Sequence, residues 1–249
     1  MLASAGVEPP RFPMRVGEFL KQSDRFLNRG DIILTRNRTL GSRIVHFGTG
    51  SFFTHAAFVF LLPSPSEHFE NTFVLESMPS GVGLANIKGW ITGRNPPEEL
   101  AILRLEGHGL DRAYFKQVGG IMLDQVNSAY DYGIAVNLGL SVWFGIKLGW
   151  SRISRRTTAY KPWTPKTFIC SGFIQYGLVE AKRRNNLDPD SVLLKEGIAS
   201  YDRAGLLAVS PDDIANSKKL KWLYAVRHGF VHQVSSYDQA REVISGVRS

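Results

Sequence analysis

The chain has 249 residues, 30 Lys+Arg against 22 Asp+Glu for a formal net charge of +8, and one cysteine. The length suits one domain, or one domain with a sizeable insertion, and 43% hydrophobic with 21% charged residues is ordinary globular composition that argues against disorder. One cysteine excludes an intramolecular disulfide and any structural zinc site built from thiolates.

Residues 1–13 show no basic stretch followed by an apolar one, so nothing there reads as a targeting signal, and their prolines imply an irregular tail. Val16, Phe19, Leu20, Phe26 and Leu27 recur at helical spacing and predict a helix over 15–27. Gly30-Asp31 breaks that pattern, and Ile32-Ile33-Leu34 reads as a short buried strand. Leu40, Ile44, Val45 and Phe47 predict a second short helix, ended by Gly48 and Gly50. The apolar runs 56–62 and 72–76, joined by a Pro/Ser-rich connection, predict a hairpin. A strand at 100–105 and a helix at about 110–126 follow. Over 133–150 the even positions are all apolar, as in a strand, while Gly and Ala at many alternate positions fit a close-packed helix equally well. The polar, basic stretch 151–166 reads as a loop with turn signals at Pro162 and Pro165. Residues 168–184 predict a helix with bases in its last turn, where the macrodipole favours them. Ser210-Pro211-Asp212-Asp213 is a helix start, with a capping serine, proline at the first position and acids in the first turn. A last strand is expected at 220–227 and a last helix at 236–247, with Ser236 and Gln239 placed as a capping box. Hairpin strands with helices at both ends imply an α+β fold.

The positive charge is unevenly spread. Residues 1–100 contribute +1, whereas 144–184 holds nine bases and one acid, Glu180, and so carries +8 by itself. Such a segment is a solvated basic face or a patch for phosphates and anionic lipids. Because it contains Cys170, the field is expected to belong to an active-site neighbourhood. The apolar tract 133–150 is interrupted by Asn137 and Lys147 and falls short of the ~20 continuous apolar residues of a membrane span. The chain is therefore expected to be cytoplasmic or peripheral to a membrane.

Cys170 stands in Thr167-Phe168-Ile169-Cys170-Ser171-Gly172, at the start of the predicted helix, where unpaired amide N–H groups and the dipole lower a thiol pKa. A lone cysteine more often simply packs; what turns the balance is a partner pair. His55 begins one hairpin strand and Glu76 ends the other. With the turn centred near 65–67, position 55 faces position 76 to 78, so both lie at one open end of the sheet. A thiol served by an imidazole that a carboxylate orients is the arrangement of acyl transfer. His46, His68, His108, His228 and His232 lack comparable settings and read as surface or packing residues. No His-Glu-x-x-His spacing and no phosphate-cradling glycine loop occurs, so no metal and no cofactor is expected.

Taken together, Gly30-Asp31-Ile32-Ile33-Leu34, Thr49-Gly50-Ser51-Phe52-Phe53-Thr54-His55-Ala56-Ala57, Val74-Leu75-Glu76-Ser77, Phe168-Ile169-Cys170-Ser171-Gly172 and Ser210-Pro211-Asp212-Asp213-Ile214-Ala215 follow a familiar order. Over roughly 30–225 the chain resembles the YiiX/YebB-like hydrolases, circularly permuted relatives of the NlpC-type papain-like cell-wall peptidases, a group that includes the lecithin:retinol acyltransferase-like enzymes. The resemblance implies a permuted papain-like fold with a small antiparallel sheet packed against helices. It implies Cys170 as nucleophile, His55 as general base and Glu76 as the residue orienting the imidazole. The family commonly has Cys-Ser-Glu at the nucleophile, and Gly172 departs from it. The division expected is a tail and helix over 1–29, a hydrolase domain over 30–228 with an insert at about 133–166, and a C-terminal helix over 229–249.

The function these readings imply is a cysteine hydrolase cleaving an amide bond, in a peptidoglycan-type peptide or similar, through a thioester. An oxyanion hole would include the Cys170 N–H, with Tyr160 or Tyr132 as a further donor. The alternative is a lipid-directed acyltransferase, thioesterase or phospholipase with the same three residues, meeting an anionic membrane surface through 133–166. A non-enzymatic basic module ranks last, since no helix-turn-helix or aromatic-interleaved motif supports nucleic-acid binding.

Overall fold

The computed structural model describes residues 11–36, 51–63, 71–78, 80–93, 99–107, 109–126, 128–130, 167–196 and 206–246. The helix expected at 40–47, the tract 133–150, the loop 151–166 and Tyr132, Tyr160, His46, His68 and His108 lie outside these residues.

The strands are β1 (Met14–Arg15), β2 (Ile32–Arg36), β3 (His55–Leu61), β4 (Phe73–Met78), β5 (Gly81–Asn86), β6 (Glu99–Leu105), β7 (Ala129–Tyr130), β8 (Thr167–Phe168), β9 (Leu220–Arg227) and β10 (Phe230–Gln233). Eight of them form one antiparallel sheet in the order β1-β10-β9-β6-β2-β3-β4-β5, while β7 and β8 pair in parallel. The sheet is thus not small, and the α+β class rests on a broad central layer. Strand β5, Gly-Val-Gly-Leu-Ala-Asn, has weak strand propensity and is held by its ladder to β4. Strand β10 returns through His228-Gly229, with φ of 50° and 78°. Positive φ is what a two-residue hairpin turn needs, but His-Gly is not the Asn-Gly or Asp-Gly pattern that announces one.

The helices are α1 (Val16–Lys21), α2 (Ser23–Phe26), α3 (Ile87–Thr92), α4 (Arg112–Leu123), α5 (Cys170–Arg184), α6 (Pro211–Ala215) and α7 (Tyr237–Ser245). The single helix expected over 15–27 is broken at Gln22 (φ −118°, ψ 27°), and both halves bury their aromatic residues, with Phe19 and Phe26 stacked at 4.9 Å. The cap at Ser210 is as expected, a reciprocal box with Asp213. The box expected at Ser236 is only half made. Ser236 Oγ accepts the Gln239 N–H at 3.2 Å, but the Gln239 carboxamide oxygen accepts from Ser235 N at 2.9 Å.

Both sheet faces are covered. Leu34, Phe58, Leu75 and Leu103 pack with α4, α5, α6 and α7, whereas Ile33, Val59, Val74 and Ile102 pack with α1, α2 and α3. That double burial is why Ile32-Ile33-Leu34 is continuously apolar rather than alternating. Helix α5 is the most deeply set. Phe173, Ile174, Leu178 and Val179 are all fully buried, which anchors it by roughly 6–12 kcal/mol as an upper bound. Strands β1 and β10 lie in the same sheet as the strands between them. No helix among the described residues is long and apolar enough to cross a membrane.

Candidate active site

Cys170 is the first residue of α5, preceded by Ile169 in extended conformation, and is 6% exposed. His55 opens β3 and Glu76 lies within β4. The ladder between these two strands runs from Leu61–Phe73 to Ala57–Glu76. Beyond it β3 continues against β2, with Thr35 opposite His55, and β4 continues against β5, with Met78 opposite Gly81. The two strands part, therefore, where the sequence placed the open end. His55 sits diagonally across from Glu76 on the same face, by the alternation that puts Ala57 and Val74 together. Their side chains meet: His55 Nε2–H donates to Glu76 Oε2 at 2.7 Å.

Cys170 occupies the gap. The Ala56 N–H, which in a continued ladder would point toward β4, donates instead to Cys170 Sγ, as does the Ser171 N–H of the first helical turn. The His55 imidazole hydrogen-bonds the same sulfur. With Nε2 taken by Glu76, Nδ1 is the nitrogen that serves the thiol. The three groups predicted from sequence are thus in series, thiol to imidazole to carboxylate.

The electrostatics follow from this packing. Burial opposes charge on the imidazole, but the Cys170 thiolate beside it, the hydrogen bond to that sulfur and the Glu76 carboxylate prevail and raise the His55 pKa from 6.5 to about 10. Burial likewise opposes a thiolate at Cys170, yet the imidazolium and the two backbone N–H donors hold its pKa below the ordinary thiol value. The arrangement favours a thiolate–imidazolium pair.

Two features of the sequence take on a definite geometry. The described bases of the segment 144–184 are Lys182, Arg183 and Arg184 in the last turn of α5. They lie 12 to 14 residues from Cys170, about 18–21 Å at ~1.5 Å per residue, beyond the ~8–10 Å screening length of physiological salt. They do not supply the field at the sulfur. Gly172, which departs from Cys-Ser-Glu, has a packing reason: a Cβ there would lie 2.5 Å from the Leu207 carbonyl oxygen and 2.8 Å from its Cα. Main chain fills the space an acidic side chain would need. His228 is exposed in the β9–β10 turn and His232 lies on β10, both away from this site. The groups that sequence reasoning missed are the Ala56 N–H and the Ser171 hydroxyl, which donates to the Val209 carbonyl. No local signal marks either, since both depend on which segments meet.

No family model and no curated protein matches this chain. The crystal structure of the metalloprotein YiiX from Escherichia coli O157:H7 (DUF1105) is similar to it, with a TM-score of 0.52 and 16% identity over 81% of this chain and 99% of that one. At that identity the likeness is one of fold. Residues here do not fit a metal: among the described residues no group of three or more His, Cys, Asp and Glu side chains is placed to hold one. Cys170, His55 and Glu76 bond to each other in series rather than facing a common point.

Proposed function

We propose that the protein is a cysteine hydrolase of permuted papain-like fold, acting on an amide bond of a peptidoglycan-type peptide or a similar acyl compound. One observation carries this reading: a thiol at a helix start, an imidazole on a strand and a carboxylate on the next strand join in one hydrogen-bonded series. In the first step the Cys170 thiolate attacks the acyl carbon, and the C–N bond breaks as His55 Nδ1–H gives its proton to the leaving amine. Water then attacks the thioester, giving a proton to the now neutral His55, and the acid and the thiolate are released. Glu76 holds the imidazole through Nε2 in both steps. The Cys170 N–H, at the helix start, is suited to the developing oxyanion.

A second reading, acyl transfer or hydrolysis on a lipid, draws on where the apolar and basic insert is attached. Ala129–Tyr130 pairs with Thr167–Phe168, two residues before Cys170, so the chain leaves for and returns from 131–166 beside the site. Acyl-release assays on muropeptides and on anionic liposomes, each with wild type and Cys170→Ala, separate the two. Turnover of muropeptides alone supports the first reading and turnover of liposomes alone the second. Neither, with Cys170 no more reactive than an ordinary thiol, overturns both.

A further inference from the structure

The catalytic strand and the catalytic helix are 115 residues apart in sequence (55 and 170) and belong to different layers. Residues 206–213 touch both. On the helix side, the Ser171 hydroxyl is fully buried and donates to the Val209 carbonyl, and the Leu207 main chain lies against Gly172 so closely that no side chain fits there. Leu207 and Val209 are themselves fully buried. On the strand side, the Phe52 N–H, three residues before His55, donates to Asp212 Oδ1 at 3.4 Å. Between these contacts lies the capping box. Ser210 N donates to Asp213 Oδ2 at 2.7 Å and Asp213 N to Ser210 Oγ at 3.0 Å, while Lys195 Nζ donates to the Ala208 carbonyl at 3.0 Å and to Asp213 Oδ2 at 3.3 Å. A reciprocal cap with proline at the first helical position is a rigid unit.

We propose that the Ser210–Asp213 cap is a clamp that sets the Cys170 helix against the His55 strand, with Ser171 and Asp212 as positioning residues. The proposal rests on the cysteine-hydrolase reading above, because it assigns these residues the task of keeping sulfur and imidazole in register. The need is physical: a displacement of ~1 Å between reacting groups reduces rate by about a hundredfold. Sequence-local structure cannot hold two elements that far apart in the chain. The clamp explains why a five-residue helix carries a complete capping box next to the site, and why position 172 is glycine.

The test is the pH profile of Cys170 alkylation by iodoacetamide, with thermal melting on each variant. Wild type is compared with Ser171→Ala, Asp212→Ala, Asp212→Asn and His55→Ala. The clamp predicts that Ser171→Ala and Asp212→Ala each raise the midpoint by about half to one pH unit, slowing alkylation below it by about three- to tenfold. Asp212→Asn, which keeps the acceptor oxygen, stays near wild type. Folded Ser171→Ala and Asp212→Ala proteins whose profiles superimpose on wild type overturn the clamp, as does a shift in only one of them. If Ser171→Ala does not fold, Asp212→Ala against Asp212→Asn decides. His55→Ala separates the two levels: an unmoved profile there defeats the hydrolase reading, while a moved one with unmoved clamp variants defeats only the clamp.

Discussion

Removing the imidazole is the most direct perturbation of this site. In the folded protein His55 stays protonated to about pH 10, so a cation faces Cys170 throughout the physiological range. His55→Ala deletes that cation and the hydrogen bond it makes, leaving the sulfur buried, with the Ala56 and Ser171 N–H groups favouring the thiolate. Burial then acts nearly unopposed, and the thiol returns to at least the ordinary value of ~8.5. At pH 6 a thiol of that pKa is about 0.3% ionised. A thiolate of low pKa is also the weaker nucleophile, with a Brønsted slope of about 0.4–0.5, so part of the gain in ionised fraction is offset. The net expectation is that iodoacetamide reacts with wild type about tenfold faster than with His55→Ala at pH 6; the ionised fraction of the variant rises about tenfold per pH unit, so the two rates cross near pH ~7 and the variant is the faster by pH ~9. Thermal melting verifies that both proteins are folded. Equal rates at pH 6, both following a midpoint near 8.5, would refute the paired thiolate and with it the catalytic assignment.

Glu76→Gln keeps the size of the carboxylate but removes its charge, and is expected to slow alkylation at pH 6 by about threefold while leaving the fold intact; no change would mean that Glu76 plays no part in holding the imidazolium. Comparing melting temperatures of wild type and Cys170→Ala across pH reads the pair thermodynamically. Between about 6.5 and about 8.5, the ordinary values of the two groups, the folded pair and the unfolded chain each bind one proton, so the pair gives no slope. Above about 8.5 the unfolded chain has lost both protons while the folded pair holds one until about 10, so the wild-type advantage falls with rising pH; an advantage that grows there contradicts the assignment. Gly172→Ala places a Cβ 2.5 Å from the Leu207 oxygen, an overpacking of about 1–3 kcal/mol, and is expected to lower the melting temperature by about 3–10 °C; an unchanged value would show that residues 206–209 yield freely. Arg104 pairs with the fully buried Asp31 through Nε at 2.7 Å and Nη2 at 2.8 Å. Burial already raises the Asp31 pKa against the pull of Arg104, so the folded state gains protons relative to the unfolded one. Arg104→Met is expected to raise it further, making the loss of melting temperature greater at pH 7 than at pH 4.5; a loss independent of pH would mean that Asp31 is not left charged.

Much of the frame is legible in the chain because it is local. Ile32–Leu34 announces a strand buried on both faces, the Pro/Ser connection announces the β3–β4 hairpin, and Ser210-Pro211 announces a helix start. Features without a local pattern are not legible. Strand β5 carries two glycines and is held by its partner, and β10 follows a His-Gly turn whose left-handed backbone has no strong composition cue. Of the basic segment, Lys182–Arg184 stand far from Cys170 for a geometric reason, since a helix of 15 residues separates them from its first residue, however near they stand in a charge count.

By itself the sequence determines which groups are candidates for the proposed chemistry: one thiol at a helix start, and a histidine and a glutamate that hairpin arithmetic brings to one end of a sheet. Residue type, spacing and turn position suffice for that, because each acts over a few residues. Only the tertiary structure decides that β3 and β4 part beyond Ala57–Glu76, that Cys170 fills the gap and takes the Ala56 N–H, and that residues 206–213 touch both α5 and the segment leading into β3. Those contacts join segments tens of residues apart or more, 38 for Ser171–Val209 and 160 for Phe52–Asp212. Burial of whole faces selects them, and no preference of the local chain encodes them.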